Sequence, residues 1–118
     1  MAERKCIGVI LGSIREGRIN DRVAFWVIRQ LEGHGFATRT IDPADPDLMP
    51  VQMGDAAAIK TLRQRMADLD GFVIVTPEYN HAEPGHLKTL IDNVTAEWWA
   101  RPVGLIGYGG ISGGLRAL

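Results

Sequence analysis

Four short apolar runs separated by stretches of helical periodicity constrain this chain more than any other feature. The runs are Lys5 to Leu11, Ala37 to Asp42, Gly71 to Thr76 and Pro102 to Gly107. The first, third and fourth are continuously apolar, as expected of strands covered on both faces. Between them, Val23, Val27 and Leu31, with Ala24 and Ile28, form one apolar stripe that Gly33 and Gly35 end. Ile59, Leu62 and Met66 form a second stripe after Asp55, a residue type that caps helix N-termini. Leu87, Leu90, Ile91 and Val94 form a third, with Pro84 near its first turn. The order is β-α-β-α-β-α-β, which predicts an α/β fold with a parallel sheet wound by right-handed crossovers. The stretch Asp42 to Asp47 reads as a loop, in which Met49 and Met53 just beyond are expected to pack.

At 118 residues the chain is read as one domain, 1–118, with room for a single hydrophobic core. A formal net charge of −1, with both signs mixed along the chain, argues against a nucleic-acid partner. The apolar runs are too short to cross a bilayer, so no membrane partner is expected. Met1 to Lys5 lead directly into the first run rather than into a signal peptide. The lone Cys6 is expected to be a buried, inert thiol, which fits a reducing compartment and a cytoplasmic protein.

In sheets of this kind ligands bind beyond the carboxyl ends of the strands. That rule selects three loops: 12–20, 77–84 and 108–114. The first lies between a strand and a helix N-terminus, where unpaired N–H groups and the helix dipole favour an anion. Gly12 and Gly17 let backbone approach a ligand, Ser13 adds a hydroxyl, and Arg15 and Arg18 can add fork-shaped contacts. The alternative is a surface turn with two solvated arginines. Arg18 and Ile19 stand where a Walker A loop needs Lys and Ser/Thr, so nucleotide hydrolysis is not expected. The GxGxxG of dinucleotide sites is absent from this loop, and a terminal monophosphate fits better. In the second loop two prolines brace Tyr79 and Asn80, which suits a planar heteroaromatic ring. In the third, five glycines between Gly107 and Gly114 suggest backbone lying against a ligand. His81 and His86 lack the further ligands that a metal site needs, so no metal is expected. Trp98 and Trp99 are expected beneath the fourth strand or at a subunit contact.

Three segments carry a resemblance: GSIREGR from Gly12, TPEYNHAEPGHLKTLID from Thr76, and GYGGISGG from Gly107. In this order they resemble the NADPH-dependent FMN reductase family, which includes quinone, azo and chromate reductases. The resemblance implies a flavodoxin-like doubly wound sheet, FMN as cofactor, and NADPH or NADH as hydride donor. It implies an enzyme passing electrons to quinone, azo, metal or flavin acceptors by a ping-pong hydride mechanism. Ser13, Arg15, Arg18, Ile19 and Asn20 would then cradle the FMN phosphate. Pro77, Glu78, Tyr79 and Asn80 would border the isoalloxazine, chiefly through backbone N–H groups, and Gly109, Gly110 and Ser112 would approach from the third loop. No catalytic side chain is expected, because the flavin carries the chemistry.

Ala82, Thr89 and Asn93 stand where the family more often has Ser, Asn and Trp. The family's pattern also continues into a further helix, a fifth strand and a last helix beyond the position of Leu118. The chain is therefore read as C-terminally incomplete, its fourth strand an unpaired edge, and a homodimer or higher oligomer is expected. Two other readings follow from the same residues. One is a flavodoxin-type electron carrier without NAD(P)H turnover, against which stand the near-neutral charge and two loop arginines. The other is a truncated fragment that has lost flavin affinity.

Overall fold

The computed structural model describes residues 4–118; the first three residues of the Met1–Lys5 lead lie outside that range. Four strands, β1 (Cys6–Leu11), β2 (Ala37–Ile41), β3 (Gly71–Pro77) and β4 (Val103–Tyr108), form one sheet in the order β2-β1-β3-β4. All three pairings are parallel, with Val9 aligned to Thr40 on one side and Val73 on the other. The helices are α1 (Asn20–Gly33), α2 (Ala56–Ala67) and α3 (Gly85–Asp92). Each element lies within a few residues of where the apolar periodicity puts it, and the order is that of a flavodoxin-like sheet with four strands.

Alternation along β1 sends its side chains to two separate cores. Ile10 faces α2 and α3 and is buried with Ile41, Leu62, Met66, Phe72 and Leu90. Val9 and Leu11 face α1 and are buried with Ala24, Val27 and Val75. Asp55 caps α2 as its residue type predicts: its carboxylate accepts the Ala58 N–H at 2.9 Å.

Three side chains, Met49, Met53 and Cys6, sit differently from expectation. The segment Met49–Met53 is a 3₁₀ turn that buries Val51 between the two methionines, leaving Met53 88% exposed and Met49 partly so. Trp98 meets Phe72 edge-on at 4.9 Å between centroids, but Trp99 is 73% exposed. Cys6 is half-buried against the larger core rather than enclosed by it.

Among the described residues β4 pairs only with β3, and Val103 and Leu105 on it are about half exposed (44% and 49%). The expected bare edge is present.

Directly after β1, the Gly12 N–H donates to the Val75 carbonyl at 2.8 Å, carrying the β1–β3 ladder one residue into the loop. A Cβ at Gly12 would lie 2.7 Å from the Thr76 hydroxyl oxygen and 3.0 Å from the Thr76 Cα. The close approach at Gly12 is thus to the neighbouring strand rather than to a ligand. Gly12→Ala is expected to destabilise the fold by about 1–3 kcal/mol, since the backbone on the far side cannot yield as a flexible side chain would. Urea unfolding checks this; an unchanged midpoint would mean that the loop relaxes freely.

Candidate functional site

The three loops converge at the carboxyl end of the sheet on one cleft of about 620 Å³. Nine of the twelve residues expected there line it: Ser13, Arg15, Arg18, Ile19, Pro77, Glu78, Tyr79, Gly109 and Gly110. Gly17, Val23 and Tyr108 complete the wall, whereas Asn20, Asn80 and Ser112 stand outside it. A cleft of similar volume, about 640 Å³, lies at the opposite rim near Lys5, Phe36, Asp70 and Trp99. It contains none of the three loops, and its Arg101 is occupied by the carbonyls of Ala67, Leu69, Glu97 and Trp99. The rule of the strand carboxyl ends favours the first cleft.

Inside the first loop, polar side chains are used mainly to fix the loop itself. Ser13 and Asn20 are both fully buried. The Ser13 N–H donates to Asn20 Oδ1 at 3.1 Å, and Asn20 Nδ2 donates to the Val75 carbonyl at 3.1 Å. Ser13 Oγ pairs with the Tyr79 hydroxyl at 2.8 Å and accepts the Arg15 N–H at 3.2 Å. The Ile14 N–H donates to His86 Nε2 at 3.3 Å. Burial pushes the His86 pKa down, which favours the neutral ring able to accept that bond.

The two arginines differ sharply. Arg15 lies over the Tyr79 ring, 4.4 Å from its centroid, and among the described residues it has no carboxylate partner. Arg18 grips Asp42 with two bonds of 2.6 and 2.9 Å, and it also reaches Asp21 and the Ser13 carbonyl. Its hydrogen bonds to Asp42 raise its pKa first, burial opposes them, and Asp21 adds to the rise. Helix α1 begins beside these groups without a side-chain cap. Ile19 occupies the N-cap position, and the Arg22 and Val23 N–H groups both turn to its carbonyl. Among the described residues the Asn20 and Asp21 N–H groups have no hydrogen-bond acceptor, as is usual in a first helical turn, and Asn20 itself is fully buried.

The second loop closes as a tight turn: the Tyr79 N–H reaches the Ala82 carbonyl at 2.8 Å, and the Ala82 N–H returns to Tyr79 at 3.1 Å. Asn80 and His81 at its centre have φ of 50° and 65°, a region these residue types tolerate better than most. The Glu78 N–H is taken by the Tyr108 carbonyl at 2.9 Å. Pro77 has no N–H. Of the amides expected to meet a ring edge, Asn80's is the one without a partner among the described residues.

The third loop folds onto Glu78. Ser112 Oγ donates to both carboxylate oxygens, at 2.7 and 2.5 Å, and the Arg116 N–H donates at 2.9 Å. The Ser112 bond, then Arg116, hold the Glu78 carboxyl below its ordinary pKa. Burial pushes the Tyr108 phenol up to about 12. Tyr108 and Val23 were within reach of sequence reasoning: one ends the fourth strand, the other lies one turn beyond Ile19. Asp42 carried no such signal beyond its place at the end of the second strand.

Comparison with known proteins agrees with this geometry. A family model described as NADPH-dependent FMN reductase matches residues 6–118. The NAD(P)H-dependent FMN reductase of Schizosaccharomyces pombe is 32% identical over 90% of this chain and 58% of its own length. A 2-hydroxy-1,4-benzoquinone reductase from a Burkholderia species is 32% identical over 92% of this chain and 57% of its own. The chain therefore spans somewhat more than half the length of these curated relatives. Among solved structures, the flavoenzyme NAD(P)H:(acceptor) oxidoreductase FerB of Paracoccus denitrificans superposes with a TM-score of 0.73 at 27% identity, over 91% of this chain and 63% of that one. With every strand and helix described above inside the family match, this chain belongs to the NADPH-dependent FMN reductase family.

Proposed function

We propose that the cleft binds FMN and that the protein is an NAD(P)H-dependent reductase of small-molecule acceptors such as quinones. The observation that carries this reading is a single cleft bordered at one end by an uncapped helix N-terminus and at the other by an aromatic, proline-braced turn. The residues fit the cofactor. A phosphate beside Ile19 would lie near the positive end of the α1 dipole and the charge of Arg15, while Tyr79, Tyr108 and Pro77 offer flat walls to a ring. A volume of about 620 Å³ lies in the range of small-molecule sites. FMN held there supplies hydride chemistry, taking reducing equivalents from NADPH or NADH and passing them to a quinone, azo, metal or flavin acceptor in ping-pong order.

This chain's own residues bind and orient. Arg15 supplies charge at the phosphate end, and Ile19 and Val23 wall the cleft beside it. Ser13 and Asn20 act one step back, holding the loop in shape. The Asn80 N–H, without a partner among the described residues, is the amide of the second loop left for a ring edge although Asn80 does not line the cleft, and Gly109 and Gly110 let the third loop lie close. Ser112 keeps the Glu78 carboxylate turned toward the third loop. The exposed apolar edge of β4 supports assembly into a homodimer or larger oligomer.

The edge of β4, unpaired among the described residues, favours a second reading in which flavin affinity is low. An absorption spectrum of purified protein with excess FMN, followed by anaerobic NADPH, separates the readings. Bound flavin bands that bleach are expected. Protein that stays colourless favours the second reading, and bound flavin that does not bleach makes the chain an electron carrier. Under turnover, double-reciprocal plots at several acceptor concentrations should be parallel; intersecting lines overturn the shared-site order. Tyr79→Leu removes both the Arg15 stack and a ring wall, and should weaken FMN binding by about three- to tenfold by fluorescence titration. Unchanged affinity would place the ring elsewhere.

A further inference from the structure

Arg18 has the position of a phosphate ligand and the bonding of a structural one. A guanidinium carries five N–H donors, and here each has an acceptor. Nε and one Nη2 donor go to Asp21, at 3.3 and 2.9 Å. The other Nη2 donor and one from Nη1 go to Asp42, at 2.6 and 2.9 Å. The last Nη1 donor goes to the Ser13 carbonyl. The side chain is only 11% exposed, against 28% for Asp42 and 64% for Asp21. Asp42 is itself anchored, since its Oδ1 also accepts the Ala44 N–H at 2.9 Å.

We infer that Arg18 is a positioning residue that cancels the Asp42 charge and covers the Ser13 carbonyl beside the cradle, so that an organic phosphate can enter without touching the guanidinium. This rests on the flavin reading above and specifies how the phosphate end of that site works. Without Arg18, an incoming dianion would face a partly buried carboxylate and an outward carbonyl dipole, both repulsive. Asp21 matters less, because water screens a carboxylate so exposed. Arg15, free of any carboxylate partner among the described residues, is the cation left to meet the ligand.

The test is an FMN titration, followed by quenching of flavin fluorescence, on the wild-type chain, R18Q and R18Q/D42N. Gln and Asn remove both charges while staying polar; Gln is shorter than Arg and has two N–H donors in place of five, so the comparison is read between R18Q and R18Q/D42N, which share that loss. R18Q should weaken FMN binding by about tenfold at low salt, with the loss shrinking as sodium chloride is added. R18Q/D42N should bind within about threefold of wild type. A directly contacting arginine predicts the opposite: the double variant would bind as weakly as R18Q, and that result overturns the inference. Circular dichroism and thermal unfolding identify a fold defect in R18Q; a double variant that folds but still binds weakly counts against the inference in that case also. Wild-type protein that leaves FMN fluorescence unchanged overturns the flavin reading and this inference with it. Wild-type binding without rescue overturns the inference alone.

Discussion

The Asn20 side chain enters the protein where α1 begins, and its amide joins the Ser13 N–H to the Val75 carbonyl. It is fully buried, so a lost partner on either side would leave a polar group unsatisfied at a cost of about 1–3 kcal/mol. This bridge fixes the first loop to β3, the strand that also leads into the second loop. The Gly12–Val75 bond and the Gly12–Thr76 approach fix the same strands one step earlier. Ile19, at the N-cap position of α1, has a hydrocarbon side chain with no capping oxygen, and the helix begins without a side-chain cap.

Charge in the cleft follows from which groups are already matched. Arg18, Asp21 and Asp42 form a self-contained set, whereas Arg15 only rests on Tyr79. Glu78 is likewise turned toward Ser112 and the Arg116 N–H. The walls nearest a ring are thus left to Pro77, Tyr79, Tyr108 and glycine backbone. The proposed flavin site would use such a division, with charge at one end of the cleft and little charge along its aromatic walls.

The sequence made the elements legible because period and burial coincide. The continuous apolar runs of β1 and β3 are of the length and kind expected of strands covered on both faces, and the stripe Val23, Val27, Leu31 has the spacing of one side of a helix. The three loops were legible from topology. What stayed hidden depends on contacts distant in sequence. Nothing local indicates that Arg18 meets a carboxylate 24 residues away, or that Asn20 turns toward Val75, 55 residues on. The two tryptophans part because the 3₁₀ turn Ala96–Trp98 ends between them: Trp98 packs on Phe72, and Trp99 is exposed, which excludes the first of its two expected places, beneath the fourth strand. Val51 took the inward place expected of Met49 and Met53 because a 3₁₀ turn has three residues per repeat and only one could face the core.

The mirror-image turn at Asn80 and His81 has a consequence for how this site can vary. The orientation of its Asn80 amide is set by the dihedral angles of the chain, so the residue at position 80 matters for the conformation it permits as much as for its own functional group. Drift at that position is then filtered by stereochemistry: glycine or aspartate could keep the peptide plane where it is, whereas valine or isoleucine would swing it away while every neighbouring side chain remained in place.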